Sequence, residues 1–340
     1  MPPSQILLWV SGAILGGLIA FWLVRNAIDE PDRFLEVTLI GGTTGMIYAL
    51  IALGYTLVYG IIELINFAHG DLFMLGTFVC LSTLTLLGFS TEVGTTGTPW
   101  FALLLAMLAA MIFCGLLNVL AERIAYRPLR RAPRLAPLIS AIGVSFIFVN
   151  IGLFWQGPTP RRFPDLLPQY DFVSQLFGFT SLIRFTFKDL FVLALAIPLM
   201  LGLAWVIRST RMGKAMRAVA QDSEMAQQMG IDVNRVIAFT FLLGGVLAGA
   251  ASLMYGLYNN NTVFTLGFTA GLKAFTAAVL GGIGNVNGAA LGGFVLGLLS
   301  ALTVTYAGGQ WENVGVFSLL VIILVFKPTG LLGQETGEKA

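Results

Sequence analysis

Apolar runs near 20 residues long, without alternation of apolar and polar positions, recur along the whole sequence. Each is about the length of helix that crosses a ~30 Å hydrocarbon core at 1.5 Å per residue. A transmembrane barrel would show shorter, alternating strands instead. Only 11% of the residues are charged, against about 25% in soluble domains. With a mean hydropathy of +0.86, a soluble fold has nowhere to hide this much apolar surface. The expected fold is therefore an all-α integral membrane protein: a polytopic helical bundle of about ten segments, some short or broken.

The expected segments are 6–24, 35–60, 67–88, 100–121, 136–155, 190–207, 236–257, 265–283, 289–307 and 314–326. At about 20 Å, the last is short for a span, so it should extend back through Trp311. The sequence does not open on a basic region, so the first run reads as a retained helix rather than a cleaved signal peptide. Charge placement sets the orientation. Arg123, Arg127, Arg130, Arg131 and Arg134 follow the fourth run, and Arg208, Arg211, Lys214 and Arg217 follow the sixth. Both loops are then cytoplasmic by the positive-inside rule, as are the N-terminus and the tail. The 156–189 loop, with Pro158, Pro160, Pro164 and Pro168, faces outward. A net charge of +2 gives no reason to expect nucleic acid. Cys80 and Cys114 lie in apolar runs and His69 is the one histidine, so no metal site is expected.

The chain holds 40 glycines, many at four-residue spacing: Gly41/Gly45, Gly245/Gly249, Gly288/Gly292 and Gly293/Gly297. In lipid, small residues let helices approach closely, so these pairs read first as packing seams. The run Gly281–Gly288 cannot stay one straight helix. It is a tight turn between spans or a break inside the membrane.

Three stretches could carry function. In the first, Gly54–Gly60 runs through Glu63 into Asn66, His69 and Asp71. It is either a wet turn at the membrane edge or a set of polar groups near a translocation path, which would include Tyr59, Asn66 and His69. In the second, Lys273 stands alone in an apolar span. It is expected to snorkel outward; the alternative is a cation facing the path. The third is the polar segment Arg208–Arg235. Lys214, Arg217, Gln221, Glu224 and Gln228 share one helical face. Ala215, Ala218, Asp222, Met225 or Ala226, and Met229 share another. Asp222 or Ser223 suits an N-cap, Glu224 the first turn, Gly230 a left-handed stop and Asp232 the cap of the next span. A short helix of about seven residues is expected here. It is a connector on lipid headgroups or a docking helix with a small, Met-bearing face.

Four segments carry a resemblance: GYTLVYGIIELINFAHGD, RAVAQDSEMAQQMGIDVNRVIAFTF, GLKAFTAAVLGGIGNVNGAALGG and KPTGLLG. In this order they resemble the permease subunits of branched-chain amino acid ABC importers. The resemblance covers 34–333 as a permease domain. It leaves 1–33 as an added N-terminal membrane segment with an outer loop, and 334–340 as a cytoplasmic tail. It implies a bacterial inner-membrane location, a second permease subunit, two cytoplasmic ATPases and a periplasmic substrate-binding protein. It also maps ATPase coupling onto Arg217–Gly230, with Arg217, Ala218, Gln221, Asp222, Glu224, Met225, Ala226, Met229 and Gly230 as candidates. No GxxxxGK[ST] motif occurs, so the chain itself is expected to need no cofactor and ATP would be used by the partner subunits. Related permeases also take urea and short amides. A rival class, an ion-coupled transporter, would show buried carboxylates or histidine relays across several spans. A membrane enzyme finds no nucleophile–base constellation here.

Overall fold

The computed structural model describes residues 17, 21–89, 99–130, 132–133, 135–172 and 184–333. The expected first span, 6–24, falls mostly outside these residues, as do Arg131, Arg134 and the 334–340 tail. Among the described residues, eight helices are long and apolar enough to cross a membrane, and a ninth apolar helix is shorter.

Helix α1, Pro31–Ile62, starts on a proline, whose missing N–H costs nothing at the first position. It ends where Glu63 takes a left-handed conformation (φ 53°) and donates its N–H to the Tyr59 carbonyl. Helices α2, Ala68–Leu86, and α3, Trp100–Ala121, follow. α3 runs on into a π-helical turn, Glu122–Tyr126, and a 3₁₀ turn, Arg127–Leu129. Then come α4, Leu135–Gln156, and α5, Phe187–Ser209, which opens on a capping box between Thr186 and Asp189. Two surface helices follow, α6, Arg211–Gln221, and α7, Ser223–Gln228. The chain closes with α8, Val233–Asn259; α9, Leu266–Gly281; α10, Val286–Tyr306; and α11, Glu312–Phe326. A 3₁₀ turn, Gly309–Trp311, leads into α11, so the last span does extend back through Trp311.

α1, α2 and α8 form the centre, with 72–78% of their most apolar stretches buried, against 17% for α5 and 6% for the last span. The four-spaced glycines explain how central helices fit together. Gly297 of α10 sits so close to α1 that an added Cβ would lie 2.2 Å from the Gly45 Cα. Gly293 meets Ala49 in the same way, at 2.4 Å. On α8, Gly245 and Gly249 press against the Cys114 and Ala110 carbonyls of α3. Gly292 uses the other side of α10 against Ala277 of α9. Without a hydrophobic drive between helices in lipid, such backbone proximity supplies dispersion contacts. α3 shows the opposite on its outer side. Leu104, Leu108, Ile112, Leu116 and Leu120 form an exposed i,i+4 stripe that runs on to Ile124 in the π turn, the surface that lipid or another subunit covers.

The Gly281–Gly288 run is a tight turn, not a broken span. Gly282 (φ 103°) and Gly284 (φ 94°) take conformations open to glycine. Asn285 then caps α10 by accepting from the Asn287 and Gly288 amides. The chain's last described residues return to this turn. Leu331 and Leu332 donate their amides to the Leu280 and Gly281 carbonyls, and Asn285 donates to the Leu332 carbonyl at 2.7 Å. At the opposite end, β1, Arg161–Arg162, pairs antiparallel with β2, Asn261–Thr262, tying the proline-bearing loop to the α8–α9 connection. Thr77 and Thr262 share a hydroxyl bond of 2.5 Å beneath this ladder.

Candidate functional site

One end of the bundle gathers most of the candidate residues. The end of α1, the turns after α3, the α6–α7 segment and the α9–α10 turn all meet there. Gly60 lies against Gly284, and Arg130 donates to the Asn234 side chain at 2.9 Å. The same Arg130 pairs with the buried Glu122. Burial pulls the Arg130 guanidinium below its ordinary value, and the Glu122 carboxylate raises it again. It keeps its charge throughout the working range.

The Arg208–Arg235 segment breaks where the sequence puts its caps. Thr210 accepts from the Gly213 amide and starts α6. Asp222 is extended (φ −155°, ψ 108°) and accepts from the Glu224 and Met225 amides, starting α7. Gly230 (φ 84°) stops it, and Asp232 accepts from the Arg235 amide to start α8. The break at Asp222 separates two helices where the sequence reading carried one face across both. Gly213, Met216 and Val219 anchor α6, which packs on α1, α5 and α8. Ala226 is buried beneath α7, whereas Met225 and Met229 are 59% and 83% exposed. The methionines and Ala226 therefore part ways. Arg217 donates to the Ile207 and Arg208 carbonyls and so closes the end of α5. Gln221, Asp222 and Glu224 are exposed, and Ala218 is half-buried.

The wet-turn alternative for the Asn66–Asp71 stretch does not hold. Asn66, His69 and Asp71 are all buried, and only Glu63 stays at the surface. Asn66 accepts from the Tyr126 hydroxyl at 2.8 Å and its amide reaches Asn118 at 3.5 Å. Asn118 in turn donates to the Phe241 carbonyl at 2.7 Å, so one amide chain joins the α1–α2 connection, α3 and α8. Tyr126 is buried at the end of the π turn after α3, a kind of turn that is frequent at functional sites. Asp71 takes the Ser145 hydroxyl of α4 on one oxygen, and its other oxygen has no partner among the described residues. His69 and the Tyr55 ring make a T-shaped contact at 4.9 Å, and neither His69 nitrogen makes a hydrogen bond of ordinary geometry among the described residues. Leaving a buried polar atom unpaired costs about 1–3 kcal/mol. Tyr59 is half-buried in the last turn of α1.

Lys273 does not snorkel. It is buried and pairs with Glu312 of α11 at 2.6 Å, with the Tyr48 ring 5.9 Å away. Ser300 of α10 also donates to Glu312. Four helices thus share one ion pair, and its desolvation cost is met by geometry and the added hydrogen bond. Sequence reasoning missed Asn118, Tyr126, Ser145 and Glu312. Asn118 and Ser145 were visible as polar residues inside apolar runs, and Glu312 as a charge at the edge of the last. Tyr126 gave no signal. Among the described residues, no group of three or more His, Cys, Asp and Glu comes together to hold a metal.

Comparison with known proteins places this architecture. Residues 37–326 match the family described as branched-chain amino acid transport system / permease component. The high-affinity branched-chain amino acid transport system permease protein BraD of Pseudomonas aeruginosa is 41% identical over 314 residues, 92% of this chain and 100% of that one. LivH of Escherichia coli K12, with the same description, is 39% identical, covering 90% of this chain and 97% of its own. The autoinducer 2 import system permease protein LsrC of Yersinia pseudotuberculosis is 24% identical over 93% of this chain and 84% of its own. By the extent of the family match and of these alignments, the chain belongs to the permease components of branched-chain amino acid transport systems.

Proposed function

We propose that the chain is one pore-forming half of an ABC importer for branched-chain amino acids, in a bacterial inner membrane. Its partners are a second permease subunit, a related chain or a copy of this one; two cytoplasmic ATPases; and a periplasmic substrate-binding protein. ATP is bound and spent by the ATPases. The end that carries α6 and α7 faces the cytoplasm, in keeping with Arg123, Arg127, Arg130, Arg208, Arg211, Lys214 and Arg217 around it. The relatives at 39–41% identity, named for branched-chain amino acids, support that substrate over urea or short amides.

One observation carries the coupling role. α7 is a short helix capped by Asp222, stopped by Gly230 and seated on Ala226, yet it presents Met225 and Met229 outward. Flexible, polarisable methionines on a rigid surface helix suit a protein groove. An ATPase that closes on α7 would push α6, and α6 packs directly on the central helices α1 and α8. Met225 and Met229 thus form the docking face, with Gln221 and Glu224 at its polar rim. Ala226 and Arg217 hold it in place from behind.

The test is uptake of labelled leucine and labelled urea by proteoliposomes holding the full set of partners. Leucine should enter with ATP inside, and ionophores should leave that uptake intact. Uptake that proceeds without ATP and collapses with an ion gradient would contradict the assignment, and entry of urea alone would overturn the substrate.

A further inference from the structure

His69 is the chain's single histidine, and it lies fully buried in the first turn of α2. A neutral imidazole offers one donor and one acceptor. Here at most one nitrogen is answered, by a loose approach of the Ile51 backbone; among the described residues neither makes a hydrogen bond of ordinary geometry. Two residues on, Asp71 is 2% exposed and one of its oxygens is equally unanswered. Buried side-chain polar atoms nearly always find a partner. Where packing alone is needed, leucine fills the space without stranding polar atoms. Two stranded groups so close in sequence therefore mark partners that come from outside the protein.

The walls around them are bare backbone. A Cβ on Gly54 of α1 would lie 2.2 Å from His69 Nε2, and one on Gly267 of α9 would lie 2.3 Å from the unpartnered Asp71 oxygen. Gly70 faces Gly271 across the same junction, where an added Cβ would come within 2.6 Å of the Gly271 Cα. Tyr55 stands beside them: its ring meets His69 in a T-shaped contact at 4.9 Å, and its hydroxyl lies beside Gly271. α1, α2 and α9 thus close over the polar atoms largely through glycine backbone, with the Tyr55 ring as the side chain between them. Small shifts of such helices uncover what they enclose.

We infer that His69 and Asp71 form an occluded polar station of the translocation path. During the transport cycle α1, α2 and α9 part there, water enters, and the unpartnered Asp71 oxygen and His69 ring meet the ammonium end of the amino-acid solute. This rests on the assignment of the chain as an ATP-driven permease.

With one histidine in the chain, the site can be read chemically. Proteoliposomes with the full complex are treated with diethyl pyrocarbonate, and carbethoxylation of His69 is followed by peptide mass spectrometry. Labelling should be slow at rest and roughly tenfold faster during ATP turnover, as when a minor open state of about 10% becomes the main one. Micromolar leucine with its binding protein, too dilute to consume the reagent, should slow it again. Equal labelling at rest and in turnover, or no effect of leucine, in vesicles that do import leucine overturns the station alone. Vesicles that import no leucine with ATP contradict the permease assignment and the station with it. The variant His69→Leu separates path from packing. It should insert and purify at the parental yield but lose uptake at least about tenfold, while His69→Gln keeps part of it. Full uptake by His69→Leu would overturn the inference.

Discussion

The α6–α7 segment and the first turns of α2 are both polar, and they treat polarity in opposite ways. Along the α6–α7 segment the helix ends are capped: Asp222 serves two amides of α7, Asp232 serves Arg235 of α8, and Arg217 closes α5. What that surface leaves unsatisfied is apolar, Met225 and Met229 standing in solvent. On α2 the apolar packing is complete, and polar atoms of His69 and Asp71 are left over. Each region is finished in the terms of its own surroundings and unfinished in the other's. Exposed apolar groups call for a protein partner, and buried polar groups call for water or a polar solute. On the proposed function, the contrast sets a docking surface apart from a path within one bundle.

The largest effect should come from the buried side of this contrast. Gly297→Leu drives a side chain into the α1 backbone, and overpacking of a rigid core costs about 3 kcal/mol or more. The yield of monodisperse protein in detergent should collapse, and a normal yield would show that the seam can slide. Next, Lys273→Met strands Glu312, whose side chain is 24% exposed, so the loss should be about 2 kcal/mol, below that of a fully buried pair. Thermal unfolding should show this, and the double change Lys273→Met with Glu312→Gln should recover most of it. Asp222→Ala removes the α7 cap and should cost about 1 kcal/mol, confined to that helix. Faster hydrogen exchange at the Glu224 and Met225 amides, with the global midpoint nearly unmoved, is the expected pattern. Smallest of all on stability is Met225→Glu with Met229→Glu, within about 0.5 kcal/mol of the parent, because both side chains stand in solvent.

How much could be seen in the sequence follows the range of the forces involved. Asp222, Gly230 and Asp232 were readable because a cap is decided within three or four residues. The glycine pairs were readable as seams because helical spacing puts them on one face, though which helix each would meet was not. Lys273 was misjudged because its partner, Glu312, lies 39 positions away on another helix. Asn66 was left open for the same reason: its fate depended on Asn118 and on Tyr126 at the end of a π turn. The proposed docking face was half legible. Periodicity grouped Met225, Ala226 and Met229, but the break at Asp222 reset the helix and sent Ala226 to the core. Local rules reach the caps; only tertiary packing distinguishes a face that docks from the face that holds it.

That distinction makes charging Ala226 a test of folding, and charging the two methionines a test of docking. The most direct measurement is leucine uptake alongside ATP hydrolysis in proteoliposomes carrying Met225→Glu with Met229→Glu and all partner subunits. The account predicts parental insertion and stability, uptake reduced at least about tenfold, and ATP hydrolysis no longer stimulated by the loaded binding protein. Undiminished, ATP-coupled uptake by this variant would contradict the claim that α7 is where the ATPase engages the pore.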